Sequence, residues 1–294
     1  MIGDALAIAR YHIVLVAMTA CLVFGWLMTD TYLPLVALVC GLDWFLINLL
    51  NRVTDVSEDL ENGIRGTERV AARARLLTVL GFGLMVGSIA LTHYVWPELT
   101  VLRCIVQAIG LAYNYKVVPT PSGLSRLKEI YFFKNFGSSV LFVLTGFAYP
   151  LAVAPRVMSW AGVIALALFF VPFELTYEIL YDLRDLEGDR AEGVPTYPVV
   201  HGPEVARRII DSLLVGSTGV LAIGLAFGAL GLREGLMLAA PLIQLVFYRP
   251  RLRRGLTPGD CIGLTHLGTA LLLVYLAGTA AWVAGGLPGN IYLS

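Results

Sequence analysis

Charge is scarce in this sequence. Asp, Glu, Lys and Arg make up only 14% of its 294 residues and hydrophobic residues 57%, against about 25% and roughly 45–50% in an ordinary soluble domain. That composition excludes water as the main solvent of the fold. The formal net charge is zero, and with no basic excess a nucleic-acid partner is excluded as well. Cysteine is also sparse. Cys21, Cys40, Cys104 and Cys261 show no CxxC or Cys/His spacing, which removes a zinc site or a disulfide framework and leaves them as core thiols. His12, His93, His201 and His266 are dispersed and read as structural. No small-residue cleavage site follows the first apolar run, so that run reads as a retained span rather than a signal peptide.

Apolar sequence, by contrast, is abundant. Runs recur at 11–28, 33–50, 76–91, 99–112, 136–152, 158–175, 209–230, 236–247 and 262–284. Several are shorter than the roughly 20 residues a membrane span needs, but their flanks extend them, and helices satisfy every backbone group in lipid. The expectation is an all-α integral membrane protein of about nine transmembrane helices, with no soluble domain between them. Basic residues accumulate in cytoplasmic loops. With nine spans, every Lys and Arg except Arg103, Arg156 and Arg233 falls on the side of the N-terminus. This predicts a cytoplasmic N-terminus and an uncharged tail, 285–294, on the outside.

Acids near a membrane are costly and usually mark a site. Here they form two rows. Asn51, Asp55 and Asp59 end the second run at i, i+4, i+8, and Glu174, Glu178, Asp182, Asp185 and Asp189 end the sixth in steps of three and four. Each row selects one helix face. Aligned carboxylates repel, so a cation belongs between them, and hard oxygen donors without His or Cys suit Mg2+ held partly by phosphate. Calcium fits less well, because neither segment resembles an EF-hand loop. Both rows end even-numbered helices and so reach the same side, the cytoplasmic one. The loop between them, 113–135, supplies Lys116, Arg126, Lys128 and Lys134, while Arg52 and Arg184 sit inside the rows. Acids and cations together describe a metal-diphosphate clamp. Two rows on one side favour a shared site over two solvated helix ends, although the loop cations taken alone also satisfy the positive-inside rule.

Asp43 in the second run and Arg103 in the fourth read as a buried structural pair. Aromatics such as Phe132, Phe133, Tyr149, Phe173 and Tyr177 read as packing, with some lining a pocket whose π faces steady a carbocation. The halves at about 1–135 and 136–260 each hold four helices with an acid row ending the second, followed by a ninth helix. They suggest a duplication within a single domain spanning 1–294.

These motifs resemble the UbiA superfamily of intramembrane prenyltransferases, whose first motif is NDxxDxxxD and whose second is DxxxD or DxxDxxxD. Residues 51–59 read NRVTDVSED, and residues 182–189 read DLRDLEGD followed by RAEGVPTYPVVHG. The stretch SRLKEIYFFKN, ending in Lys134 and Asn135, is similar to the family's loop between helices four and five. The resemblance implies nine helices around a central cavity and Mg2+-dependent binding of a polyprenyl diphosphate. Asn51, Asp55 and Asp59 would serve one metal, and Asp182, Asp185 and Asp189 the other. Asp55, Asp59, Asp182 and Asp185 would be catalytic, with Asn51, Arg52, Lys116, Arg126, Lys128, Lys134, Asn135 and Arg184 on the diphosphate. Arg52 departs from the family's Asp, removing one ligand and offering a phosphate contact instead. The implied reaction moves the prenyl group to an aromatic or lipid acceptor. A terpene cyclase of the same fold, acting without an acceptor, and a cation transporter are the alternatives.

Overall fold

The structure is a computed structural model that describes residues 2–121, 123–191 and 193–293; the side chains of Ile2 and Phe132 lie outside what is described. The helices of the first half are α1 (Ile2–Ile8), α2 (Tyr11–Thr29), α3 (Pro34–Thr54), α4 (Val56–Glu61), α5 (Thr67–Ala72), α6 (Ala74–Val95) and α7 (Pro97–Asn114). A short antiparallel ribbon, β1 (Val118–Thr120) and β2 (Gly123–Ser125), leads into α8 (Tyr131–Val143), which continues through one wide π turn, Leu144–Ala148, into α9 (Tyr149–Val153). Then follow α10 (Trp160–Arg184), α11 (Leu186–Ala191), α12 (Tyr197–His201), α13 (Pro203–Ala226), α14 (Leu232–Gly235), α15 (Ala239–Arg253) and α16 (Pro258–Ala284).

Local sequence sets these boundaries. Proline opens α3, α7, α13 and α16, where its missing N–H costs no helical bond. Ser159 caps α10 by accepting from the Gly162 N–H at 3.1 Å, and Thr257 and Asp260 cap α16 reciprocally.

Among the described residues, seven helical segments are long and apolar enough to cross a membrane. The expected runs 99–112 and 236–247 are helical too, within α7 and α15. Polar Arg103 and Gln107 dilute α7, and both are buried. Their partner is Asp43 on α3. Arg103 grips it through Nε at 2.9 Å and Nη2 at 2.5 Å, Gln107 Nε2 donates at 2.7 Å, and Tyr149 Oη donates at 2.9 Å. The Asp43–Arg103 pair expected from sequence thus ties α3, α7 and α9 together. Among the rings, Phe24 of α2 stacks on Phe147 at 4.7 Å and meets Phe170 edge-on at 4.9 Å. On α6, Leu76, Val79, Leu80, Val86 and Leu91 are exposed, an outward apolar face suited to lipid.

Both acid rows use one backbone device. α3 stops at Asp55 (φ −107°, ψ 28°) and α4 resumes; α10 stops at Asp185 (φ −93°, ψ 11°) and α11 resumes. Each short helix then ends in a Schellman turn. Gly63 and Gly193 adopt φ of 62° and 68°, and the Ile64 and Val194 N–H groups bond back to the Asp59 and Asp189 carbonyls at 2.8 Å each. The two devices superimpose in sequence without a gap. Asp55 corresponds to Asp185, Asp59 to Asp189, Gly63 to Gly193 and Arg52 to Asp182.

Candidate active site

A cavity of about 850 Å3 runs into the bundle between α2, α3, α10 and α16. One end is polar, lined by Asn51, Asp55, Glu58, Lys128, Lys134 and Asp182. Its depth is aromatic, lined by Phe24, Trp44, Phe142, Phe169, Phe170 and Phe173. Helix ends create the polar end: the break at Asp55 and the break at Asp185 bring the C-terminal turns of α3 and α10 to the same mouth, and the segment before α8 and the first turn of α8 lay Lys128 and Lys134 between them.

On the first row, Asp55 is buried and both of its oxygens are occupied. Arg126 Nη1 donates to Oδ1 at 2.9 Å and Lys128 Nζ to Oδ2 at 2.6 Å, with the Asn51 amide also donating to Oδ2. Lys128 further holds Glu58 Oε2 at 2.9 Å. Burial pushes the Glu58 carboxyl up, but the charge and hydrogen bond of Lys128 outweigh it, leaving Glu58 below its ordinary value. Arg52 is fully buried and turns away from the cavity. It pairs with Asp59 and donates to the Arg65 carbonyl at 3.0 Å and Thr67 Oγ1 at 3.1 Å. Asp59 accordingly lines a shallow neighbouring pocket with Asp4 and Arg65 rather than the main cavity. Burial lifts its carboxyl above the ordinary value despite Arg10 and Arg52.

On the second row, Lys134 Nζ lies 3.0 Å from Asp182 Oδ1 and 3.1 Å from Asp189 Oδ2. Asn135 Nδ2 donates to Asp182 Oδ2 at 2.7 Å, while its buried Oδ1 has no hydrogen-bond partner. Burial pushes the Asp189 carboxyl up to about 6 against the pull of Lys134, with Asp182 and Asp185 adding to the rise. Asp185 pairs with its neighbour Arg184, whose guanidinium also covers the Tyr181 ring at 4.7 Å.

Of the residues singled out in the sequence, Asn51, Asp55, Lys128, Lys134, Asp182, Arg184 and Asp185 line the cavity. Arg126, Asn135 and Asp189 stand one contact behind it, through Asp55, Asp182 and Lys134. Lys116 is exposed beyond the end of α7 and does not line the cavity. Phe173 and Tyr177 line it, whereas Tyr149 is committed to Asp43 and Phe133 is exposed.

Sequence reasoning gave no role to several other lining groups. Arg10, at the start of α2, reaches the polar end, with Nη2 3.7 Å from Asp59. Glu174 and Glu178 both face Ser138 Oγ, each at 2.9 Å. A hydroxyl has one proton to donate, so Ser138 serves one of the two carboxylates at a time. His12, read as structural, lines the cavity with its Nδ1 unpartnered, as is the Tyr177 hydroxyl. Its ring lies nearly parallel to that of Tyr181. The only signal for Glu174 and Glu178 was their spacing in the acid row; His12 gave none.

The donor chemistry discriminates between the rows as metal sites. Among the described residues no three acidic, His or Cys side chains form a ready cage, which Mg2+ does not require, since it takes one or two carboxylates and completes its shell with phosphate and water. The second row fits that demand, with more acids than cations and the orphaned Asn135 Oδ1 beside Asp182. The first row does not fit, because every acid in it is already matched by a cation.

Comparison with known proteins agrees with this architecture. The model of the UbiA prenyltransferase family matches residues 13–258. A digeranylgeranylglyceryl phosphate synthase from Thermococcus sibiricus is 28% identical over 218 residues, covering 70% of this chain and 71% of the relative. A probable homogentisate phytyltransferase 2 from Oryza sativa subsp. japonica is 29% identical over 216 residues, or 70% of this chain and 54% of that one. The solved structure of a UbiA homologue from Archaeoglobus fulgidus bound to GPP and Mg2+ has the same fold, with a TM-score of 0.70 at 17% identity, covering 92% of this chain and 97% of the other. The chain thus belongs to the UbiA prenyltransferase family, as a multi-pass integral membrane enzyme.

Proposed function

We propose that this enzyme binds an isoprenoid diphosphate with Mg2+ at the polar end of the cavity, ionises it, and transfers the prenyl group to an aromatic or lipid acceptor. The observation that carries the reading is the cavity itself, charged at one end and aromatic along its depth. An amphiphile with a diphosphate head and an apolar tail matches that polarity end for end. Lys128, Lys134, Arg10 and Arg184 are among the cations that line the cavity beside the acids, placed to bind phosphate oxygens and steady the negative charge that builds as the carbon–oxygen bond breaks. Bound Mg2+ supplies the same Lewis-acid stabilisation of the leaving group, and Asp182, Asp185 and Asp189 are the residues that would hold it. The rings of Phe24, Phe169, Phe170 and Phe173 offer π faces to an allylic cation and exclude water that would otherwise quench it.

The neighbouring solved structures bound to GPP or DMAPP with Mg2+ support the choice of donor. Relatives named for digeranylgeranylglyceryl phosphate and for homogentisate support an acceptor that is a lipid alcohol or an aromatic ring. The arginine-rich and lysine-rich loops at the site end of the bundle support a cytoplasmic active site and N-terminus. Family membership favours the enzyme over the transporter. To test the reading, the purified protein is incubated with geranylgeranyl diphosphate, Mg2+ and either homogentisate or geranylgeranylglyceryl phosphate, and the organic products are analysed. A prenylated acceptor supports the proposal. A cyclic hydrocarbon or terpene alcohol formed equally without acceptor would replace it with the cyclase reading.

A further inference from the structure

The repeated device at the two acid rows is not symmetric in charge. Where α10 carries Asp182, the equivalent position on α3 carries Arg52. Exchanging Asp for Arg changes the formal charge by two units, which is the charge of one Mg2+ ion. The structure shows what the exchange does. Arg52 sits fully buried, draws Asp59 out of the cavity into an ion pair through Nη1, and spends Nη2 on Arg65 O and Thr67 Oγ1, with Nε left without a partner. The equivalent pair in the second device, Asp182 and Asp189, instead converges on Lys134.

Charge balance follows the same asymmetry. In the first device Asp55, Glu58 and Asp59 meet Lys128, Arg126, Arg52 and Arg10, with Arg126 also holding Glu129. Every carboxylate there has its cation. In the second device Asp182, Asp185 and Asp189 meet, among the described residues, only Lys134 and Arg184, and Glu174 and Glu178 continue the row below them. The second device therefore retains negative charge for a dication, and the first has none left.

We propose that Arg52 stands in for a metal ion, so that this enzyme engages its diphosphate with a single Mg2+, held on the α10–α11 acids, and meets it from the first row with Lys128 as a fixed cation, while Arg126 braces Asp55 from behind. The inference rests on the function proposed above. It departs from the expectation that Asn51, Asp55 and Asp59 serve a metal of their own. Arg52 acts as a positioning residue, since it holds Asp59 away from the cavity and touches no substrate itself.

The test counts metal directly. The full-length protein in detergent is saturated with geranylgeranyl thiodiphosphate, a slowly ionising donor analogue, and Mn2+. Free ligand is removed and bound Mn2+ is quantified by electron paramagnetic resonance. The wild type is expected to hold one Mn2+ per chain with the spectrum of an isolated spin; Asp182→Asn loses it, Asp55→Asn keeps it, and Arg52→Asp raises the count to two with spin–spin coupling. If Arg52→Asp does not fold, the wild-type count and the other two variants still decide. Two coupled Mn2+ in the wild type, or a single ion lost in Asp55→Asn, overturns the one-metal inference while leaving the proposed function standing. Retention of neither thiodiphosphate nor Mn2+ overturns both.

Discussion

Ser138 has a single hydroxyl proton and two carboxylates within reach, Glu174 and Glu178. Glu178→Gln keeps the shape of the side chain and offers an amide donor to the Ser138 oxygen, and is expected to leave the melting temperature within a few degrees of wild type. Ser138→Ala removes the group between them and leaves buried oxygens facing each other, at a cost of roughly 1–3 kcal/mol. Thermal unfolding in detergent separates the two, and a larger loss in Glu178→Gln than in Ser138→Ala would contradict this reading of the contact. Asp189 offers a pH test. Its carboxyl, lifted by burial to about 6, holds a proton in a range where an ordinary aspartate has none, and that proton competes with the metal. The Mg2+ concentration needed for half-maximal diphosphate release should therefore rise as pH falls from about 7.5 to 5.5, and Asp189→Asn should flatten the dependence. Spacing in the sequence was enough to single out Asp55, Asp182 and Asp185, which line the cavity. It could not show that Arg52 turns inward or that His12 lines the cavity, because side-chain direction at a helix end depends on which neighbour offers a partner.

Among the elements, α7 carries an arginine within its span, and the partners of buried Arg103 explain how it is accommodated. Arg103 is bidentate to Asp43 and donates to Ser88 O at 2.8 Å and Thr92 Oγ1 at 2.6 Å, which fastens α6 to α3 and α7. Arg103→Met strands the Asp43 carboxylate in the core and should cost about 3–5 kcal/mol, whereas pairing it with Asp43→Leu should recover most of that loss. Unfolding of the two variants and their combination checks the sign, and a double mutant no better than the single would point to a role for the pair beyond packing. The long helices were legible from hydropathy alone. The short elements at the site were not: α1, α4, α5, α11 and α12 are each seven residues or fewer, too brief for a periodic pattern to register. Their boundaries follow from the tertiary packing of Asp55 and Asp185 at the breaks and from Gly63 and Gly193 in the Schellman turns.

For the whole molecule, the decisive feature is that two acid rows far apart in sequence share one mouth. Sequence-level topology anticipated this, since both rows end helices that run in the same direction. It could not anticipate that loop cations already bind the acids, because Lys128 and Lys134 reach them only once α8 is docked on α10. The central claim is that this mouth ionises a prenyl diphosphate with metal. Its most direct test is diphosphate release from geranylgeranyl diphosphate by the purified protein, in Mg2+ or in EDTA, with Asp182→Ala and Asp55→Ala beside the wild type. Release is expected to require Mg2+ and to fall at least about a hundredfold in Asp182→Ala, the loss expected when groups that stabilise a leaving anion are removed. In Asp55→Ala, release should fall because Lys128 and Arg126 lose their anchor, while the Mg2+ requirement of the residual activity stays unchanged. Release that persists in EDTA, or that survives Asp182→Ala undiminished, would contradict the central claim.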